Sequence, residues 1–323
     1  MDSSGLDFTC GTCHKTSSHD VPGSRYTPTA MDKGGAHMRG KPAEGNPATC
    51  QACHGNQPHP VSASKLDNHG SKLNEHTSKI ACQTCHIPSF ARGGVPTKMS
   101  WDWSTAGQLG PNGKPMTKKD AKGHVTYDSR KGDFVLSENV PPEYFWFNGK
   151  VTYTLLGDKV TKSDSRTPIN RIEGSPTDGK SMIWPMKVVR GTQPFDPGNQ
   201  TLVMPHTAGN DKIGYWKNFN WENAIADGMQ NMGAPFSGKV DFIKTEMYWP
   251  ITHMVAPKEK ALSCAQCHDS STGGRLKNVK GIYMPGRGDN NRWLDIIGWT
   301  VALLTLIGVL VHGAGRIYTH RKG

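Results

Sequence analysis

Four Cys-x-x-Cys pairs in this chain are each followed directly by a histidine. They are Cys10-Gly-Thr-Cys13-His14, Cys50-Gln-Ala-Cys53-His54, Cys82-Gln-Thr-Cys85-His86 and Cys264-Ala-Gln-Cys267-His268. This is the spacing of a c-type haem attachment site, where both thiols bond to the porphyrin and the histidine is the proximal iron ligand. Zinc sites and disulfides also use such pairs, but neither requires the histidine. The motifs use all eight cysteines, so we predict four covalently attached haems c.

Each iron has a second axial position to fill. Four of the 14 histidines close the motifs and two lie near the C-terminus, which leaves eight distal candidates. The first choices, on short polar segments or after a stiffening proline, are His37, His76, His206 and His253. His19 and His59 each follow a proximal histidine by five residues and come second; His69 and His124 come last. Two readings of this surplus stay open: some histidines bind haems on another stretch of polypeptide, or several are exposed or bind propionates.

We expect few regular helices or strands to position these residues. Only 35% of the 323 residues are hydrophobic, and 37 glycines and 22 prolines favour turns. We therefore predict a mainly α fold with extensive loops, organised around a haem stack, with helical turns at the attachment sites of residues 1–90. Further predictions are a hairpin around Asn148-Gly149 within residues 144–160, a helix late in residues 215–232, and a helix within 236–268. Residues 87–263 carry no attachment motif, and their role stays open.

An apolar stretch near the C-terminus has the length of a membrane-spanning helix. The segment 296–314 is 19 residues long and has no Asp, Glu, Lys or Arg. Trp293 and Trp299 are suited to the membrane–water interface. The predicted organisation is a four-haem domain over residues 1–290, a transmembrane helix over 293–315 and a cytoplasmic tail over 316–323. His312 lies inside the span, either as a ligand to a b-type haem shared with a partner subunit or as a neutral histidine packed against that partner.

The net charge, the haem attachment and the N-terminus of the chain indicate its location and its partners. The net charge is +11, but the propionates of four haems would add roughly eight negative charges, so no nucleic-acid partner is expected. Covalent haem attachment places the domain on the extracytoplasmic face of the inner membrane. The N-terminus lacks the features of a signal peptide. Either a signal has been removed, or the chain is the later part of a longer polypeptide.

Several segments resemble the octahaem tetrathionate reductase family, which is related to hydroxylamine oxidoreductase. The resemblance extends over residues 1–285. It rests on residues 80–88, 141–149, 185–206 and, most strongly, 248–262. It implies an extracytoplasmic electron-transfer protein whose relatives carry eight haems and reduce tetrathionate, nitrite or hydroxylamine at one of them. With four attachment motifs, this chain is similar to the C-terminal half of such a protein, or to a partner of a separate N-terminal half with further haems.

Two functions follow as hypotheses. The first is electron transfer through four haems between a membrane partner, such as a b-type cytochrome subunit, and an extracytoplasmic acceptor or other redox partner protein. The second is the reductase itself, which needs an open iron position and basic groups that stabilise an anionic substrate. The candidates for those basic groups are Lys98, Lys118, Lys119, Arg166 and Arg190. The identity of any catalytic residue stays open.

Overall fold

The computed structural model describes residues 37–38, 41–42, 50–64, 67–209, 211–269, 274–282, 284 and 292–320. The first attachment motif (Cys10, Cys13 and His14) and the candidate ligand His19 lie outside these residues. The chain divides into two compact units, Met1–Ala261 and Leu262–Gly323.

Most of the regular structure in the first unit is β-strand. The strands are β1 (His37–Met38), β2 (Lys41–Pro42), β3 (Thr97–Asp102), β4 (Thr117–Lys119), β5 (Val125–Asp128), β6 (Gly132–Ser137), β7 (Glu143–Phe147), β8 (Val151–Tyr153), β9 (Thr167–Pro168), β10 (Asn170–Ile172), β11 (Met182–Asp196), β12 (Thr201–Leu202) and β13 (Asp241–Pro250). Nine of these described strands form one mixed sheet in the order β4-β5-β6-β3-β11-β13-β9, and β7 and β12 also pair with β11. The two remaining pairs are β1 with β2 and β8 with β10.

Strand β11 organises this sheet. It is 15 residues long and runs antiparallel to β13 from Met186 opposite Pro250 to Phe195 opposite Asp241. It also runs antiparallel to β7 and parallel to β3. The predicted mainly α, loop-rich fold is therefore wrong. Low apolar content limited the expected core, but a sheet satisfies its backbone through ladder hydrogen bonds and needs apolar residues on only part of its surface.

The described helices are short except for the last one. They are α1 (Gln51–His54), α2 (His69–His76), α3 (Cys82–His86), α4 (Tyr215–Asn218), α5 (Trp221–Asn231), α6 (Cys264–Cys267) and α7 (Arg292–His320), with 3-10 turns at Trp103–Thr105 and Lys258–Lys260. The helix predicted late in residues 215–232 is confirmed by α5, whose N-terminus is capped by the Asn220 side chain accepting from the amide of Asn223 at 2.8 Å.

Two local predictions are wrong, and in both places the structure forms strands that pair in other ways. The helix predicted within residues 236–268 is mostly replaced by β13, where Ile243 and Thr245 are buried and the intervening Lys244 is exposed, the period-two pattern of a strand. The hairpin predicted around Asn148-Gly149 does form strands on both sides of the turn. They do not pair with each other, because β7 joins β11 and β8 joins β10.

Two clusters of buried apolar residues pack against β11. One contains Val160, Phe195, Leu202 and Ile243. The other contains Phe147, Met186 and Val188 together with half-buried aromatic residues. Phe195 of β11 belongs to the first cluster, and Met186 and Val188, which alternate along β11, belong to the second, so this strand contributes to both parts of the core.

The C-terminal helix α7 carries apolar side chains that are exposed in the described structure, among them Leu304, Val309 and Leu310. It is long and apolar enough to cross a membrane. His312 lies on this helix.

Candidate haem-binding site

The three attachment motifs that the structure describes form single helical turns, and such a turn brings the two cysteines of a motif together. We call Cys50–His54, Cys82–His86 and Cys264–His268 the second, third and fourth sites. In the second and fourth sites the amide of the closing histidine donates to the carbonyl of the first cysteine, at 3.0 Å for His54 and 2.8 Å for His268. Residues three apart in such a turn share a face, so the two thiols of a motif can reach one porphyrin.

The third site is fixed to the end of the sheet. Ile183, in β11, accepts hydrogen bonds at its carbonyl from the amide of Ala81 at 3.1 Å and from the Thr84 hydroxyl at 2.7 Å. The Thr84 side chain is fully buried. After β13, the amide of Ala256 donates to the carbonyl of His86 at 2.7 Å. The third site is therefore held by two distant segments of the chain.

The second and third sites meet each other. A hydrogen bond from the Cys50 side chain lowers the pKa of the Cys82 thiol to about 7, against the opposing effect of burial. Burial lowers the pKa of His86, and the nearby imidazoles of His59 and His54 lower it further. A neutral imidazole is the form that binds a metal, and this environment favours the neutral form of His86.

The rings of His59 and His86 have the separation expected of two axial ligands. Their centroids are 6.3 Å apart and their planes differ by 15°. A metal–imidazole bond of about 2.0–2.1 Å puts each ring centroid roughly 3 Å from the metal, so two imidazoles on opposite sides of one iron lie about 6 Å apart. The separation and the near-parallel planes of the His59 and His86 rings are compatible with that arrangement.

The four histidines ranked first by sequence have other surroundings. His206 is bound at both ring nitrogens: Nδ1 lies 2.6 Å from Asp227 Oδ2 and Nε2 lies 2.9 Å from the carbonyl of Ala208. Its hydrogen bond to Asp227 raises its pKa, which favours a protonated side chain. His253 is exposed, with Nδ1 3.1 Å from the Thr252 hydroxyl. His76 is half-buried at the end of α2, and His37 lies in β1.

The two lowest-ranked candidates each pair with a neighbouring carboxylate. Nδ1 of His69 lies 3.1 Å from Asp67, and Nδ1 of His124 lies 3.2 Å from Asp120. Each pair is local in sequence and stands at the protein surface, which is the ordinary setting of a histidine without a ligand role.

The fourth site, in the second unit, is built from local sequence. Gln266 and Ser263 form a capping box, with the Ser263 amide donating to Gln266 Oε1 at 2.9 Å. The amide of Arg275 donates to the carbonyl of Gln266 at 2.8 Å. Cys264 and His268 are exposed. Burial raises the pKa of the Cys267 thiol.

The residues present fit a covalently held haem. Among the described residues, no group of three or more His, Cys, Asp or Glu side chains is placed to hold a bare metal ion, so paired thiols with one adjacent imidazole are better explained by haem than by zinc. Arg92, six residues after His86, donates to the carbonyl of Met254. Its Nε is buried and has no partner in the part of the chain that the structure describes. A porphyrin propionate is an acceptor that would satisfy this group. Sequence reasoning missed Arg92, because nothing in its neighbourhood marks it.

Four of the five basic residues suggested for an anionic substrate have partners in the structure. Arg190 donates to both carboxylate oxygens of Glu143, at 2.6 and 2.9 Å. Arg166 donates to two backbone carbonyls. The ammonium group of Lys98 lies 3.4 Å from the ring centroid of Trp101. Lys118 lies over Tyr127 at 5.2 Å, and Lys119 is exposed on β4.

Repeated attachment motifs, with two sites in contact and an imidazole pair beside them, define a multihaem c-type cytochrome. The family model described as "Cytochrome c bacterial" matches residues 98–271. The chain belongs to this bacterial cytochrome c family, whose members are typically extracytoplasmic. This confirms the prediction of covalently bound haem c and of a redox function.

A solved structure gives a second comparison. The octaheme cytochrome c from Shewanella oneidensis is 36% identical in sequence and matches with a TM-score of 0.68. The match covers 90% of this chain and 60% of the Shewanella chain. No curated protein matches the sequence.

Proposed function

We propose that this chain transfers electrons through four covalently bound haems, between a membrane partner and an extracytoplasmic acceptor, as part of an octahaem tetrathionate reductase-like system. Each haem supplies an iron that changes between the ferrous and ferric states without forming or breaking bonds to a substrate. The protein's own part at the third site would be to supply both axial ligands, His86 and His59, and to bring the second site close to the third.

The observation that carries this proposal is the pair of imidazoles at the third site. Two histidine ligands leave no open position on an iron, and they favour a low reduction potential. The side chain of Cys50 reaches Cys82, so haems attached at the second and third sites would lie close together. Electrons would then pass rapidly from one haem to the other. A closed iron beside a neighbouring haem is suited to electron transfer.

The alternative is the reductase itself, which the family resemblance brings with it. That function needs cationic groups free to stabilise an anion. Arg190 is neutralised by Glu143 and Arg166 is directed at backbone carbonyls, which favours electron transfer over catalysis by this chain.

The long apolar helix supports the proposed location and membrane partner. In this proposal residues 1–290 face the extracytoplasmic side, residues 293–315 cross the inner membrane and residues 316–323 are cytoplasmic. The membrane partner is a redox protein such as a b-type cytochrome, for which His312 is a candidate haem ligand. An N-terminal half with further haems, on the same polypeptide or on a separate chain, would complete the octahaem system.

The test is the variant His59→Ala in the full-length holoprotein. Electron paramagnetic resonance of the oxidised variant is expected to show one ferric iron per chain converted from low spin to high spin. The matched control is His69→Ala, because His69 has an 84% exposed side chain paired with Asp67. The control is expected to keep the wild-type spectrum. A wild-type spectrum from His59→Ala would contradict the proposed axial pair.

A further inference from the structure

Asn74, on helix α2, holds His59 through three hydrogen bonds. Oδ1 of Asn74 accepts from the backbone amide of His59 at 3.1 Å and lies 3.0 Å from Nδ1 of its ring. Nδ2 of Asn74 donates to the backbone carbonyl of His59 at 3.0 Å. The two residues are 15 positions apart, so this contact is part of the tertiary structure.

These contacts determine which ring nitrogen of His59 carries the proton. A backbone amide can only donate and a backbone carbonyl can only accept, so the side-chain oxygen and nitrogen of Asn74 are assigned without ambiguity. The oxygen that accepts from the amide is also the atom facing Nδ1. Nδ1 must therefore be protonated and donate. In the neutral imidazole, Nε2 then keeps a free lone pair for a metal.

The segment that contains His59 also packs closely against α2. Pro58 and Pro60 flank His59 and restrict its backbone. A methyl group added at Gly70, in the first turn of α2, would overlap the backbone carbonyl of Pro60. The glycine allows a close approach that brings His59 within reach of Asn74. Asn74 and Gly70, one turn apart on α2, thus hold the His59 segment at two neighbouring points.

We propose that Asn74 is a positioning residue for the haem at the third site: it fixes the tautomer and orientation of His59 so that Nε2 is presented to the iron opposite His86. The proposal rests on the proposed function, because it needs His59 as the distal ligand. Metal-binding histidines commonly donate their other ring nitrogen to such a partner, and loss of the partner weakens the metal bond by about 10- to 100-fold.

The experiment is a cyanide titration of the oxidised holoprotein, followed by absorbance and electron paramagnetic resonance. In Asn74→Ala, one haem is expected to exchange His59 for cyanide at a concentration about 10- to 100-fold lower than in the wild type. In Asn74→Asp, the acceptor for Nδ1 is kept but the donor to the His59 carbonyl is lost, so cyanide binding is expected to stay closer to wild type than in Asn74→Ala. The stronger acceptor should lower the reduction potential of one haem, because it makes the imidazole a better donor.

Asn68→Ala is the matched control, since Asn68 lies at the start of the same helix and makes no capping hydrogen bond with its side chain. Wild-type cyanide binding in Asn74→Ala, together with an opened haem in His59→Ala, would overturn the role of Asn74 and leave the proposed function standing. A wild-type response from His59→Ala would overturn both. If Asn74→Ala does not fold, an unchanged potential in Asn74→Asp overturns the proposal by itself.

Discussion

The third and fourth attachment sites have the same motif but different supports. Thr84 of the third site is fully buried and bound to Ile183, a residue 99 positions away. The fourth site has an exposed Cys264 and is held by Ser263, Gln266 and Arg275 from its own neighbourhood. A haem motif therefore specifies the covalent chemistry, whereas the surrounding chain determines how firmly the site is held. Changes in distant supports should affect the third site and leave the fourth site unchanged.

The largest effect is expected from Ile183→Ala. Ile183 is fully buried, and its backbone anchors the third site. Removing its side chain leaves a cavity, so the free energy of unfolding should fall by about 2–5 kcal/mol. Denaturant unfolding followed by circular dichroism measures this change. The control Val135→Ala removes a 53% exposed side chain from the same sheet and should stay within about 0.5 kcal/mol of wild type. Equal effects of the two variants would contradict the account.

A second effect, confined to the third site, is expected from Gly70→Ala. The added methyl group would overlap the carbonyl of Pro60. Such overpacking lowers the free energy of unfolding by about 1–3 kcal/mol. The segment should move away from α2 and take His59 with it. The spectrum of one haem is then expected to change, which resonance Raman spectroscopy of axial ligation can detect. An unchanged spectrum in a folded Gly70→Ala protein would show that Pro60 can move without displacing His59.

A smaller and purely local effect is expected from Ser263→Ala. Loss of this cap should destabilise the turn of the fourth site by about 0.5–2 kcal/mol. Hydrogen exchange should then become faster at the amides of Gln266 and His268. The amides around Cys82 serve as the internal reference and should keep their rates. Faster exchange at both sites would show that the fourth site is not locally supported.

The smallest effect concerns the pH dependence of the sheet that supports the third site. Burial, together with the charges of Lys131 and Lys187, lowers the pKa of Lys98 from 10.5 to about 8. Between these values the unfolded chain binds more protons than the folded chain, so Lys98 makes stability rise with pH across this window. The unfolding free energy of wild type, relative to that of Lys98→Met, should therefore increase from pH 7 to pH 10. Lys119→Met, on the exposed strand β4, is the control and should show no such trend.

The chemistry of this chain was easier to predict from sequence than its fold. The haem motifs are visible because three residues at fixed positions within a five-residue segment carry the whole signal. Strand β11 is hidden because Pro185, Gly191 and Pro194 interrupt it, and these residues are more typical of turns than of a central strand. In β13, the alternation at Ile243 and Thr245 was present, but a short apolar run does not distinguish a strand from a helix.

The proposed distal ligand shows the same limit. From the sequence, His59 ranks below His206, although Pro58 and Pro60 on either side of His59 indicate a stiffened segment. Asn74 gave no signal at all, since its role depends on a contact between segments 15 residues apart. The carboxylates that surround His206 are likewise supplied by tertiary structure, with Asp227 lying 21 positions away.

The most direct test of the central claim is electron paramagnetic resonance of the oxidised, purified holoprotein, with and without nitrite or hydroxylamine. Electron transfer through irons closed by two histidines predicts low-spin ferric signals only, unchanged by either compound. A high-spin signal, or a signal that shifts when either compound is added, would reveal an open iron position and contradict the account in favour of a reductase.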